Sequence, residues 1–117
     1  MTDGDPDCLF CKIVAGEIPS DRVYEDDEVI AFRDINPRAP THILVIPRRH
    51  VADAQHLTDA DGELLTRLFG AVRTLAADAG LENGYRVVTN VGPDAGQTVF
   101  HLHLHLLGGR SMSWPPG

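Results

Sequence analysis

The sequence predicts an α+β fold: a mostly antiparallel five-stranded sheet with one long helix. Three observations carry this. Five short runs are apolar and rich in β-branched residues. One long stretch has apolar residues three and four positions apart. Proline, glycine and aspartate punctuate the intervals between them.

In chain order, residues 1–7 read as a flexible acidic tail, and residues 8–117 as one domain, the size that this length supports. Residues 22–25 and 29–32 read as strands around the turn-forming Asp26-Asp27. The loop Asp34-Ile35-Asn36-Pro37-Arg38-Ala39-Pro40 is broken by two prolines. Residues 42–46 form an apolar run, read as a buried strand that Pro47 ends. The helix spans 59–79. Thr58 caps it, Asp61 completes a capping box, and Leu64, Leu65, Leu68, Val72, Leu75, Ala76 and Ala79 make its apolar stripe. Gly80 suits the left-handed stop. A strand at 85–90, a glycine loop at 92–96 and a strand at 99–107 follow, and Trp114-Pro115-Pro116-Gly117 fits neither helix nor central strand.

Composition narrows the function classes. The chain is 43% hydrophobic and 23% charged with a net charge of −7, as in a globular protein without the basic footprint that a nucleic-acid polymer needs. One nucleotide remains compatible, because a few N–H groups and imidazoles hold a phosphate. No apolar run is long enough for a membrane span, and the N-terminus lacks the basic and apolar parts of a signal peptide, so a cytoplasmic location is expected. Cys8 and Cys11 have metal-ligand or redox spacing. A redox pair belongs at a strand-to-helix turn, and no strand precedes Cys8. Zinc would require two further ligands.

The segment His101-Leu102-His103-Leu104-His105-Leu106 holds half of the six histidines. Strand alternation puts its imidazoles on one face and its leucines on the core face. A row of imidazoles is costly to bury without partners, so it lines a cleft or a metal. It reads as polar filler, as a zinc site, or as a nucleophile with a free-base lone pair at neutral pH. The preceding Asn90-x-Gly92-x-x-x-Gly96-Gln97-Thr98 brings small residues and donors to the same place, which suits a phosphate.

Ala95-Gly96-Gln97-Thr98-Val99-Phe100-His101-Leu102-His103-Leu104-His105-Leu106 resembles the signature of the histidine-triad (HIT) family, His-x-His-x-His after Gly-Gln-Ser/Thr. Asp34-Ile35-Asn36-Pro37 and Pro40-Thr41-His42-Ile43-Leu44-Val45-Ile46-Pro47 resemble two further segments of that family. Gly108-Gly109-Arg110-x-Met112-x-Trp114-Pro115-Pro116-Gly117 resembles the end of its Hint branch. The resemblance covers nearly the whole chain. It implies a homodimer sharing a ten-stranded sheet, and a purine nucleoside phosphoramidase acting on AMP- or GMP-type substrates without a catalytic metal. The sister activity, dinucleoside polyphosphate hydrolysis of the Fhit type, and a regulatory nucleotide-binding role are the alternatives.

By the same resemblance, His103 is the nucleophile and His105 assists proton transfer at the leaving group. His42 holds the nucleophile's other ring nitrogen. Asp34 binds ribose. Phe10, Ile13, Ile18, Phe32 and Ile35 surround the base, and Asn90, Gly96, Gln97, Thr98 and Val99 contact phosphate and leaving group. Cys8, Cys11, His50 and His101 correspond to a structural zinc site in bacterial-type relatives. Trp114 reaches across the dimer to the partner's leaving-group pocket.

Overall fold

The computed structural model describes residues 4–117. The first three residues of the expected tail lie outside the described residues. Its remainder leads through a turn into Cys8, whose N–H donates to the Asp5 carbonyl at 3.0 Å. Helix α1 (Leu9–Val14) follows, then β1 (Arg22–Glu25), β2 (Val29–Arg33), β3 (Thr41–Pro47), α2 (Gly62–Asp78), β4 (Tyr85–Val88) and β5 (Leu104–Gly108). The five strands form one antiparallel sheet in the order β1-β2-β3-β5-β4. The expected fold class holds.

Strand alternation divides the molecule. Val29, Ala31, Ile43, Val45, Leu104 and Leu106 point to one face, where Leu64, Leu68, Ala71, Val72 and Leu75 of α2 cover them. Ile30, Phe32, Leu44 and Ile46 point to the other, under Phe10, Cys11 and Ile13 of α1. β2 and β3 are therefore apolar on both sides and read as continuous hydrophobic runs. Asp26 fixes the first hairpin: its Oδ1 accepts from the N–H groups of Glu28 at 2.8 Å and Val29 at 2.9 Å.

Several boundaries differ from expectation. The capping box of Thr58 and Asp61 is present, but it opens a single 3-10 turn over Asp59–Asp61, and the α-helix starts at Gly62. The helix stops at Gly80, with φ +71°, in the left-handed region. Helix α1 was not expected. Six residues are too few for a periodic signal, and the thiol of Cys8 supplies the cap by accepting from Cys11 N–H at 3.3 Å.

The largest correction concerns the histidine segment, which is a strand only from Leu104. The reason is where its backbone bonds go. β4 ends at Val88, two residues short of expectation, and there the ladder fails. Leu102 N–H turns to the Val51 carbonyl, and the His103 carbonyl accepts from the Thr89 hydroxyl at 2.8 Å. The chain stays extended enough to keep the expected alternation. Leu102, Leu104 and Leu106 enter the α2 core, and the three imidazoles face the α1 side.

Candidate active site and metal centre

The His103 ring is buried edge-on against Phe10 of α1, centroids 5.1 Å apart, and packs 4.9 Å from the His105 ring. Its Nδ1 lies 2.7 Å from the His101 carbonyl. A carbonyl only accepts, so Nδ1 carries the ring proton and Nε2 is left with a lone pair. The same logic assigns the neighbours. Arg38 N–H donates to His42 Nδ1 at 3.0 Å, so the His42 proton is on Nε2. That nitrogen lies 2.9 Å from His105 Nδ1, which accepts, and places the His105 proton on its Nε2. Asp34 Oδ2 stands 3.4 Å from the same His42 nitrogen, a second and longer acceptor.

This corrects one expected contact. His42 does not hold the second nitrogen of His103; the His101 backbone does, and His42 holds His105 instead. Sequence spacing cannot separate these, since His42 pairs in register with Leu107 while Leu44 pairs with His105.

Burial keeps these rings neutral. It pushes His105 down to about 4, with repulsion from His103 and His42 adding to the effect. Burial also lowers His42, against the opposing pull of Asp34, and lowers His103, against its bond to the His101 carbonyl. The free-base lone pair on His103 Nε2 is thus the resting state at neutral pH.

The His103 and His105 rings border a cavity of about 620 Å³, within the range of small-ligand sites. Phe10, Ile13, Ile18, Phe32 and Ile35 line it, together with Asp34, Thr98, Val99, His103 and His105. Asn90, Gly96 and Gln97 are not among its walls. The Gln97 side chain is spent inside the chain: Oε1 accepts from Gly92 N–H at 2.8 Å, and Nε2 donates to the Ala52 carbonyl at 2.9 Å. It shapes the loop that presents Thr98. Gly96, at φ +86°, supplies a left-handed turn there.

Sequence reading missed three positioning contacts: the Thr89 hydroxyl on the His103 carbonyl, the Arg38 amide on His42, and Arg110 Nε on the Arg38 carbonyl at 2.9 Å. All three act through a backbone atom at one end, and the last spans 72 residues, so none leaves a motif.

The four expected metal ligands converge. The Cys8 and Cys11 sulfurs, His50 Nδ1 and His101 Nδ1 lie within 4.8 Å of one another. Cys11 Sγ is 3.2 Å from His50 Nδ1, and Cys8 Sγ is 3.4 Å from His101 Nδ1. Tetrahedral zinc, with arms of about 2.3 Å to sulfur and 2.0 Å to nitrogen, has sulfur–nitrogen edges of about 3.5 Å. The donor set and spacing fit that ion. His101, fully buried, donates from Nε2 to the Pro47 carbonyl at 2.8 Å, which turns a bare Nδ1 toward the sulfurs. Burial pushes the Cys11 thiol up to about 11, so a metal would be what holds it as thiolate.

An antiparallel α+β sheet with a histidine-lined cavity and an adjacent Cys2His2 cluster is the kind of molecule that the comparisons recover. Residues 15–112 match the HIT domain. A HIT-like protein of Synechococcus elongatus is 55% identical over 95% of this chain and 97% of its own length. The 14 kDa zinc-binding protein of Zea mays is 50% identical over 97% of this chain and 90% of its own. The crystal structure of a HIT family hydrolase from Legionella pneumophila superposes with a TM-score of 0.93 at 54% identity, covering 95% of this chain and all of that one. The chain belongs to the HIT family. Its relatives include zinc-binding proteins, a subgroup with which its own Cys8-x-x-Cys11 is consistent, and its solved relatives include HIT family hydrolases.

Proposed function

We propose that this protein hydrolyses the P–N bond of purine nucleoside phosphoramidates, AMP- and GMP-type alike, through a nucleotidyl-His103 intermediate. The observation that carries the reading is the 2.7 Å bond from His103 Nδ1–H to the His101 carbonyl, which leaves Nε2 unprotonated on a ring that lines a nucleotide-sized cavity. Phe10, Ile13, Ile18, Phe32 and Ile35 enclose the purine, Asp34 accepts from the ribose hydroxyls, and Thr98 and Val99 border the phosphate.

The phosphate's charge favours protonation of His105. When that happens, His42 Nε2–H has Asp34 Oδ2 as its alternative acceptor at 3.4 Å. His103 Nε2 then forms a bond to phosphorus as the P–N bond breaks, and the leaving amine takes the proton of His105. Water next attacks the same phosphorus. Its proton returns to His105, the P–Nε2 bond breaks, and the nucleoside monophosphate departs.

A structural zinc on Cys8, Cys11, His50 and His101 completes the reading. It would tie α1 to the segments before β5 and after β3, and take no part in the displacement. The working form is a homodimer joined at β4, one of the sheet's two edge strands, where Tyr85 and Arg86 border a second cleft of about 530 Å³ with Arg110, Ser111 and Met112. Trp114, 81% exposed, would dock on the partner. Both cysteines are unpaired, in keeping with a reducing cytoplasm.

The test is turnover on a panel of adenosine and guanosine phosphoramidates and on diadenosine triphosphate, with mass spectrometry of the enzyme during turnover. Amine release with a nucleotide adduct on His103 is expected. Cleavage of the dinucleotide alone, or AMP binding with no turnover, would overturn the reading.

A further inference from the structure

Among the described residues, one buried side-chain polar atom has no hydrogen-bond partner: Ser20 Oγ. Such orphans are rare, because a buried hydroxyl without a partner is destabilising. Ser20 also lines the 620 Å³ cavity. Its place in the sheet says what it could meet there. Arg22 pairs with Phe32, and Arg33 N–H donates to the Asp21 carbonyl at 3.0 Å. Carried one residue further, this antiparallel register sets Ser20 opposite Asp34, on the same face and roughly 5 Å away.

The two side chains are complementary. An ionised carboxylate only accepts. A sugar hydroxyl that donates to Asp34 still has lone pairs in want of a donor, and a serine O–H is one. Asp34 Oδ1 already accepts from Asn36 N–H at 2.8 Å, which holds the carboxylate in place. The Ser20 hydroxyl has no bond to break, so turning it from one staggered well to another toward the cavity forfeits nothing.

We infer that Ser20 is a second sugar-binding residue, donating to a ribose hydroxyl that Asp34 accepts from, and so a determinant of ribonucleotide preference. This rests on the nucleotide reading of the cavity but not on phosphoramidase chemistry. The test is therefore equilibrium binding of AMP and of 2′,3′-dideoxy-AMP, which has neither hydroxyl, to the zinc-loaded protein, its S20A variant and its S20T variant.

The unaltered protein should prefer AMP. S20A should weaken AMP binding about 3- to 10-fold, the range for one neutral hydrogen bond, and leave dideoxy-AMP binding unchanged. S20T, which keeps the hydroxyl, should restore the preference. An AMP-to-dideoxy-AMP ratio that is the same in S20A as in the unaltered protein would overturn the role of Ser20 and leave the enzymatic reading intact. Binding of neither nucleotide would remove both.

Discussion

Replacing His103 separates its chemical role from its structural one. Truncation to alanine removes the nucleophile, but it also strips the His101 carbonyl of its 2.7 Å donor and removes the ring edge packed against Phe10. The first loss is worth about 1–3 kcal/mol when a buried acceptor is left unpaired, and the second about 0.5–1.5 kcal/mol. H103A should therefore unfold about 2–4 kcal/mol more easily, roughly 8–16 °C in Tm for a domain of this size. Asparagine differs in one respect: its amide N–H reaches the position of Nδ1–H and can keep the bond to the His101 carbonyl, while nothing replaces Nε2. H103N should lose less than half as much stability as H103A. Both should lose turnover by several orders of magnitude and form no adduct. Urea unfolding gives the first comparison, and single-turnover assay on an adenosine phosphoramidate gives the second. Equal destabilisation of the two variants would refute the Nδ1 assignment. Turnover in H103N near that of the unaltered protein would refute His103 as nucleophile.

Three further outcomes are expected. Purified protein should carry about one zinc per chain by elemental analysis, and chelation should lower Tm more than it lowers turnover of the protein that remains folded; total loss of activity without loss of structure would mean that the metal is catalytic. Because burial holds His42 and His105 below their ordinary value, His105 at about 4, the unfolded chain takes up protons that the native one refuses as pH falls from about 6.5 towards 4. Stability should drop across that window by on the order of 2 kcal/mol, with a shallower slope in H105Q; a flat urea midpoint between pH 7 and 4.5 would contradict this. Deleting residues 113–117, which the chain holds through Arg86 on the Ser113 carbonyl at 2.9 Å, should leave AMP affinity nearly unchanged. It should shift relative turnover between bulky and small leaving amines; equal scaling across an amine series would exclude a role in selectivity.

The sheet and the long helix were legible because each has a periodic signature: alternation in the strands, the three-and-four stripe from Leu64 to Ala76, and a stop at Gly80. The convergence of Cys8, Cys11, His50 and His101, and of the cavity's apolar walls, was legible through family resemblance, since these residues lie far apart in sequence. Helix α1 was not legible, being too short for periodicity and capped by a thiol. The partner of His42 was not legible either. Which ring it meets depends on side-chain reach across the β3–β5 register, where a two-residue difference exchanges His103 for His105. The internal role of Gln97 was not legible, because a motif residue beside a glycine loop gives no sign that its amide fastens that loop to Ala52 and Gly92.

The strict alternation of leucine and histidine from His101 to Leu106 binds folding and chemistry to one register. A slip of a single residue would turn imidazoles into the α2 core and leucines into the cavity. A one-residue slip therefore cannot spoil the site and spare the core, or the reverse, so chains misregistered in this way should be lost as unfolded protein and not persist as folded, inactive molecules.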